Sequence, residues 1–311
     1  MTKAPYACDL HCHTDLSDGN DSPLELIQHA AQRGLEIVAI TDHDKKPPLL
    51  LNVDGHVTDI IAFAKNFGIH LIRGIEISCE TGIEDVHIIG LGCNWDDAYF
   101  DELEEFILQS KIGSYRELVN RLRLIGMDLS WAELLENGGK PVLEKDIQKK
   151  LIFELVARKG YAESWKEAKL LVKNSPDLNV SRAKPDSAGV IAAIRRLGGV
   201  AILAHPYLID DEVEKDGQTI FRQQFIAQLI AAGLDGIEAR YPYGKTSYSG
   251  RLTPDEICEE VMARYADAGL IISGGSDYHA DYKKGTKNPR ELGECGITLE
   301  AFRSYAKLKN I

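Results

Sequence analysis

Histidine is the residue type with the clearest chemical potential in this sequence. The chain contains nine histidines, and His11 and His13 are two residues apart in a segment with the pattern of a strand. Residues two apart on an extended chain point to the same side, so these imidazoles would lie side by side. Neutral imidazoles bind Zn, Fe, Mn or Cu, and carboxylates complete such sites or bridge two ions. The spacing therefore predicts part of a metal centre.

More potential ligands stand at or near the ends of successive predicted strands. The full set contains six histidines and three acids: His11, His13, Asp18, His43, Glu76, His87, His205, Asp277 and His279. A single histidine at a strand end is usually an ordinary polar residue, but the recurrence makes that explanation weak. In a parallel α/β barrel the carboxyl ends of all strands face one mouth, where active sites lie. We therefore expect these side chains to meet at one mouth.

Apolar segments of strand length alternate with helical patterns in both outer parts of the chain. This alternation predicts a mainly parallel sheet, open or closed into a barrel. Residues 22–25 have the chemistry of a helix start, with Ser, Pro and Glu in the favoured positions, and Gly34 suits the end of that helix. Residues 57–67 are also expected to form a helix.

The middle of the chain interrupts this alternation. Almost all of residues 96–184 have helical patterns, and residues 174–185 resemble a linker that returns to the alternating part. The sequence therefore predicts a discontinuous barrel domain, at 1–96 and 186–311, with a mainly helical insertion or cap domain at 97–185.

Charge and composition exclude several classes of partner. The chain has 311 residues, with 48 acidic and 36 basic residues, and a net charge of −12. Proteins that bind long nucleic acids neutralise phosphates with Lys and Arg, so no such partner is expected. No apolar run approaches the roughly 20 residues of a membrane span, and no signal-peptide pattern is apparent. We expect a cytoplasmic protein without a membrane partner and with reduced cysteines; the oligomeric state is left open.

Six short motifs occur in a characteristic order along the chain: DLHCHTDLSDG at 9–19, ITDHD at 40–44, GIEIS at 74–78, VHIIG at 86–90, AHP at 204–206 and GGSDYH at 274–279. With this set the sequence resembles the PHP (polymerase and histidinol phosphatase) family of metal-dependent phosphoesterases. It is most similar to the stand-alone branch with a helical insertion, which includes nucleotide phosphoesterases. The resemblance implies an α/β fold, a distorted seven-stranded β/α barrel, with two or three divalent ions (Mn, Fe or Zn) at its mouth.

The resemblance also implies which residues hold the ions. One ion would lie on His11, His13, Glu76 and Asp277, a second on Glu76, His87 and His205, and a third on Asp18, His43 and His279. Relatives have either His or Asp at the position of Asp18, and the carboxylate weakly favours Mn²⁺ or Fe²⁺ over Zn²⁺. Glu76, His205 and Asp277 are carried over as catalytic residues.

A physical mechanism follows from such a cluster. Two ions ~3.5–4 Å apart would share a water and lower its pKa, and the bridging hydroxide would attack phosphorus in line. The ions and basic side chains would spread the charge on the phosphoryl oxygens. Asp42 and Asp44 would either orient ligating imidazoles or cap loops. Glu238 also stands at a predicted strand end but is not assigned as a ligand.

The residues that bind substrate are less clearly marked. Relatives that act on nucleotides often have Gly-Arg soon after the AHP motif, whereas residues 207–209 here are Tyr-Leu-Ile. The candidate cations for phosphate are Arg182, Lys184, Arg240 and Lys245, each of which is alternatively a solvated surface charge. Tyr241, Tyr243 and Tyr248 would either stack on a base or sugar or pack against the insertion.

The leading hypothesis is hydrolysis of a small phosphate ester, such as a nucleotide, a nucleoside bisphosphate, or a linear or cyclic sugar phosphate. The main alternative is an exonuclease on short oligonucleotides, which would need a basic track to the mouth. A metal-binding module without catalysis predicts gaps in the ligand set, and the set has none. A metal-dependent C–N hydrolase would share ligand types, but its carboxylated-lysine signature is not seen.

Overall fold

The computed structural model describes residues 3–311. The strands are β1 (Cys8–Cys12), β2 (Ile37–Ile40), β3 (Leu50–Val53), β4 (His56–Asp59), β5 (His70–Ser78), β6 (His87–Leu91), β7 (Val200–Leu203), β8 (Glu212–Lys215), β9 (Gln218–Phe221), β10 (Gly236–Arg240) and β11 (Ile271–Gly274). The α-helices are α1 (Pro23–Arg33), α2 (Ile60–Asn66), α3 (Ala98–Leu124), α4 (Trp131–Glu136), α5 (Lys149–Arg158), α6 (Trp165–Lys173), α7 (Ser187–Arg196), α8 (Arg222–Ala231), α9 (Pro254–Tyr265), α10 (Leu299–Ser304) and α11 (Ala306–Lys309).

Seven strands form one sheet in the order β1-β2-β5-β6-β7-β10-β11. Most neighbours are parallel, but β6 is antiparallel to both β5 and β7. The first residue of β6, His87, therefore pairs with Ser78 at the end of β5. The expectation that ligands recur at carboxyl ends is wrong for His87: its strand is reversed, and its amino end reaches the same mouth.

The two outer strands of this sheet approach each other and nearly close a barrel. The His13 N–H donates to the Tyr278 carbonyl at 2.8 Å, and the Asp277 N–H donates to the His11 carbonyl at 2.8 Å. Buried apolar side chains fill the interior and the layer under the helices, with Leu10, Ile72 and Ile202 in one cluster. The distorted seven-stranded α/β barrel predicted from the sequence is thus confirmed.

Local sequence chemistry explains the ends of these elements. Helix α1 begins with a capping box between Ser22 and Glu25 and ends at Gly34, whose φ of 76° lies in the left-handed region, as predicted. The helix expected at 57–67 is shorter, because its first residues belong to the β3–β4 hairpin. That hairpin turns at Asp54 and Gly55, both with positive φ, as a two-residue turn requires.

The chain divides into two compact units. The barrel unit comprises the described residues up to Glu102 together with Pro185–Ile311, and the helical unit comprises Leu103–Lys184. The helical unit has its own apolar core, in which Leu122, Ile152 and Phe153 are buried. No helix among residues 3–311 combines the length and apolar character needed to cross a membrane.

Candidate metal centre

Strand β1 brings the first two imidazoles together. His11 lies within β1 and His13 follows it directly, and both side chains are fully buried. Their Nε2 atoms are 3.1 Å apart. At this distance the lone pairs of two ring nitrogens repel each other unless one nitrogen donates a proton to the other or both lone pairs face a cation. The two-residue spacing along the strand therefore places the two imidazoles side by side, as predicted.

Glu76, a buried residue of β5, lies at the centre of the cluster. Its two carboxylate oxygens are within 2.8–3.1 Å of nitrogens from five imidazoles, those of His11, His13, His43, His87 and His205. The closest approach is the 2.8 Å contact between Oε1 and His87 Nδ1. A carboxylate with imidazoles on both oxygens has the arrangement expected of a bridging ligand.

Asp277 divides its two oxygens between different neighbours. Its Oδ1 is 3.1 Å from His13 Nε2 and 3.4 Å from His279 Nδ1. Its Oδ2 accepts a 2.7 Å hydrogen bond from the Tyr241 hydroxyl and a 2.5 Å hydrogen bond from Arg290 Nη1. One oxygen therefore faces the cluster while the other is held from behind.

Asp18 and His279 complete the exposed side of the cluster. Asp18 Oδ1 is 3.0 Å from His279 Nε2 and 3.8 Å from His13 Nδ1. Ligand atoms fall into three groups, each within 4.8 Å: His13, Asp18, His43 and His279; His11, His13, Glu76 and Asp277; and His43, Glu76 and His87. The structure therefore brings together all nine sequence-predicted ligands, with His205 joined through its 3.0 Å contact to Glu76.

Several buried atoms of the cluster are left without hydrogen bonds. Within the described residues these atoms are His13 Nδ1, His43 Nδ1, Glu76 Oε2 and His205 Nδ1. Three imidazole nitrogens lie 3.1 Å from Glu76 Oε2, yet none has hydrogen-bond geometry to it. Buried polar atoms are rarely left unpaired, because each costs about 1–3 kcal/mol. Divalent cations would satisfy these atoms, and a donor set of imidazoles and carboxylates suits Mn, Fe or Zn.

Carboxylates and burial control the charge of these imidazoles. At His13, burial disfavours the charged ring, but Asp277 and Glu76 outweigh burial and raise its pKa to about 9. The same balance, set mainly by Glu76 and Glu238, raises the pKa of His11 well above its usual value. At His43, burial prevails over the attraction of Glu76 and lowers the pKa to about 3. Metal binding requires neutral imidazoles, so cations bound at His11 and His13 would displace protons from these rings.

Glu238 orients two parts of the cluster. It lies on β10, is almost fully buried, and its oxygens are 3.3 and 3.4 Å from His11 Nδ1. It also accepts a 2.8 Å hydrogen bond from the backbone N–H of His205. A carboxylate on Nδ1 favours the tautomer with its proton there, which leaves the Nε2 lone pair of His11 directed at the cluster.

The hydrogen bonds of Asp42 are those of a loop cap. Its carboxylate accepts from the N–H and hydroxyl of Thr14 and from the hydroxyl of Ser17. Asp44 accepts a 2.8 Å hydrogen bond from the Ser78 N–H. Of the two roles considered for Asp42, these contacts support loop capping, whereas Glu238 contacts the imidazole of His11.

Two of the predicted phosphate cations, Arg240 and Lys245, have partners other than the cluster. Arg240 lies against Met262 and the Tyr6 ring, and Lys245 binds Glu294 and the Pro289 carbonyl. These contacts engage both side chains elsewhere, so they give the prediction no support. Arg182 and Lys184 belong to the helical unit.

Arg290, which sequence reasoning missed, forms an ion pair with the predicted ligand Asp277. Its guanidinium bridges Asp277 and Asp281 and is mostly buried. No motif marks Arg290, because only the fold of the loop after β11 places it behind Asp277. Tyr241 and Tyr243 are buried, at 3% and 1% exposure, so they pack rather than offer stacking faces.

Known proteins with similar sequences cover nearly the whole chain. A phosphoribosyl 1,2-cyclic phosphate 1,2-diphosphodiesterase of Eggerthella lenta is 27% identical over 88% of this chain and 94% of its own length. A 3′,5′-nucleoside bisphosphate phosphatase of Chromobacterium violaceum is 30% identical over 88% and 87%, respectively. A 5′-3′ exoribonuclease of Haemophilus influenzae is 27% identical over 87% and 89%.

Two solved structures share the fold. A protein of Bifidobacterium adolescentis assigned as a metal-dependent phosphoesterase superposes with a TM-score of 0.62 at 23% identity, covering 97% of this chain and 96% of that one. A Chromobacterium violaceum protein named as an amidohydrolase, with bound sulfate and no metal, superposes with a TM-score of 0.61 at 23% identity. The match covers 95% of this chain and 93% of that one. The PHP domain family itself matches residues 9–177. The chain therefore belongs to the PHP domain family and is a phosphoesterase.

Proposed function

We propose that this protein hydrolyses a small phosphate ester with two or three divalent ions held at the barrel mouth. The observation that carries this proposal is Glu76, whose two oxygens contact five imidazoles while Oε2 lacks a hydrogen bond. A buried carboxylate in that position suits a ligand shared between two cations.

The proposed ligands form three overlapping sets. The first is His11, His13, Glu76 and Asp277; the second is Glu76, His87 and His205, with His43 adjacent; and the third is Asp18, His43 and His279, with His13 adjacent. Mn, Fe or Zn suits these ligands, and the carboxylate of Asp18 favours the harder Mn²⁺ or Fe²⁺. Among these ligands, Glu76, His205 and Asp277 are the proposed catalytic residues, as the family resemblance implies.

Bound ions would lower the pKa of a water and polarise the phosphoryl oxygens. The chain's own contribution is to fix the ligands before substrate arrives. Glu238 holds the His11 ring and the backbone at His205, and Tyr241 and Arg290 hold the outer oxygen of Asp277. Because these partners are buried, the ligand positions need little reorganisation during the reaction.

The acidic balance of the chain favours a compact substrate. A net charge of −12 disfavours a long polyanion on the surface, and two of the full-length relatives are named for small phosphorylated substrates. The exoribonuclease of Haemophilus influenzae, similar over most of its length, favours a second candidate, an exonuclease on short oligonucleotides. A cytoplasmic location and a capping role for the helical unit stay predictions.

The test combines metal analysis with a phosphate-release screen. Purified protein should retain two or more Mn, Fe or Zn ions per chain, and with Mn²⁺ it should hydrolyse at least one nucleotide, bisphosphate, sugar phosphate or cyclic phosphate. Glu76→Gln should lose activity at least about a hundredfold, more than loss of an orienting partner would cost, and should lose metal while keeping a folded circular-dichroism spectrum.

The matched control is Glu300→Gln, at an exposed site on α10, which should behave as the wild type. Protein that neither retains nor reloads metal, or a Glu76→Gln variant with full activity, would overturn the proposal. Preferential release of nucleotides from short oligonucleotides would favour the exonuclease instead.

A further inference from the structure

A large polar cavity in the barrel unit is not used by any step described so far. Its volume is about 760 Å³, within the range of small-ligand pockets. The lining comes from the segments before β6, after β7 and after β10, and includes Asp85, Tyr207, Tyr248 and Arg251. These segments lie at the barrel mouth, where the proposed ligands also stand.

Chain geometry places this cavity next to one flank of the cluster. Asp85 is two residues before His87, and Tyr207 is two residues after His205. Two residues span at most about 7 Å, so the cavity wall begins within that distance of both ligands' backbones. A substrate with its phosphate on the cluster could therefore extend its remaining part into the cavity.

The two arginines of the cavity differ in how their charges are used. Arg222 donates to the Ile209 carbonyl and to Asp211 at 2.7 Å and stacks on the Tyr207 ring at 4.1 Å, so its charge is compensated and its position fixed. Arg251 is exposed, and among the described residues it has no hydrogen bond or ion pair. The hydroxyls of Ser247 and Ser249 line the same cavity.

The remaining lining suits a hydroxylated ring. The carboxylates of Asp85 and Asp210 can accept hydrogen bonds from vicinal hydroxyls, and the half-buried ring of Tyr248 offers a face for a sugar or base. Tyr248 is braced by the buried Tyr243, with ring centroids 5.2 Å apart. An uncompensated guanidinium beside such groups suits a second phosphate, because arginine binds phosphate oxygens in a bidentate manner.

We propose that this cavity binds the sugar or nucleoside part of the substrate and that Arg251 binds a second phosphate on it. The preferred substrates are then bisphosphorylated sugars or nucleosides, whose one phosphate lies at the cluster and whose other lies at Arg251. The inference rests on the proposed phosphoesterase function and deepens it. It also supplies the anion-binding arginine that is missing directly after the AHP motif.

The experiment compares matched substrate pairs with the Mn²⁺-loaded protein. A nucleoside 3′,5′-bisphosphate is measured against its 3′- and 5′-monophosphates, and glucose 1,6-bisphosphate against glucose 6-phosphate. In one pair or the other, kcat/KM for the bisphosphate should exceed that for the monophosphate at least about tenfold. Arg251→Gln should reduce this ratio about tenfold or more, chiefly through KM, because a charge-assisted contact is lost.

Arg303→Gln, an exposed arginine on α10, is the matched control and should leave the ratio unchanged. The pair that shows the preference distinguishes a nucleoside from a simple sugar. Hydrolysis of monophosphates and bisphosphates with equal efficiency, or an unchanged ratio in Arg251→Gln, would overturn this inference and leave the phosphoesterase proposal standing. No hydrolysis of any ester by metal-loaded protein would overturn both.

Discussion

Glu238 offers a direct test of how the barrel prepares its metal ligands. Its carboxylate serves two partners at once, the Nδ1 atom of His11 and the backbone N–H of His205. Replacement by Gln keeps size and shape but makes one end of the group a donor. We expect Glu238→Gln to weaken metal binding while the fold is retained.

The size of the effect follows from these contacts. If the Gln carbonyl accepts from the His205 N–H, its amide nitrogen faces His11 Nδ1, which must then become an acceptor and shift its proton to Nε2. That proton occupies the lone pair directed at Glu76 and the proposed ion. If the amide is flipped, its NH2 group faces the His205 N–H, and two hydrogen-bond donors then oppose each other. Either arrangement should lower metal affinity between tenfold and a hundredfold, about 1.4–2.7 kcal/mol.

The assay is a chelator competition for Mn²⁺, followed by thermal unfolding of the same samples. Glu238→Gln should bind Mn²⁺ more weakly and unfold near the wild-type temperature when both are metal-free. Glu238→Ala should in addition lose about 1–3 kcal/mol of stability, since the buried His205 N–H is left without an acceptor. Glu300→Gln on α10 controls for loss of charge alone. An affinity within twofold of wild type in Glu238→Gln would refute the orienting role.

Two further predictions concern partners that lie outside the proposed ligand set. Tyr241→Phe removes the hydroxyl that donates to the outer oxygen of Asp277, and Arg290→Lys removes the guanidinium fork that bridges Asp277 and Asp281. Each variant should lower metal retention and kcat/KM by about tenfold. Metal content after dialysis checks this, and unchanged retention would contradict it. Burial disfavours the charged form of Glu80, but Lys215 and Ser187 outweigh burial and lower its pKa below the ordinary 4.5. The ionised carboxylate therefore stabilises the fold above pH 4.5, and this stabilisation is lost as the pH falls through the lowered pKa. Glu80→Gln should therefore cost about 1 kcal/mol at pH 7, with a smaller difference in acid; urea unfolding at pH 7 and pH 4 measures it, and a difference that grows in acid would reverse the sign.

The sequence predicted the barrel because six motifs occur in a characteristic order and strands alternate with helices in both outer parts of the chain. The alternation did not reveal that β6 runs in the opposite direction. Only eight residues separate β5 from β6, too few for the crossover that a parallel pair needs, so loop length could have predicted the reversal. The hairpins β3–β4 and β8–β9 also carried a signal, since each turns at an Asp-Gly pair.

The candidate ligands could be found from the sequence because each stands in a short motif tied to a strand end. Their supporting partners could not, because Glu238, Tyr241 and Arg290 reach the cluster only through the fold. The sequence pattern also gives no sign of strained backbone conformations. His205 and Asp277 have positive φ values of 27° and 49°, a conformation that costs energy in a residue with a side chain. Such strain in two proposed ligands is consistent with a backbone held for the sake of the site.

The net charge of −12 is compatible with an anionic substrate because the proposed cations would place positive charge at the barrel mouth. Asp18, Glu76 and Asp277 account for three of the acids, and each divalent ion bound among them would add two positive charges at the mouth. Arg251 would add another in the adjoining cavity. A long polyanion must cross the acidic surface, whereas a compact phosphate ester meets mainly the field of the mouth. With the proposed ions bound, the charge distribution that disfavours a long nucleic acid would favour the small, multiply phosphorylated substrate that we propose.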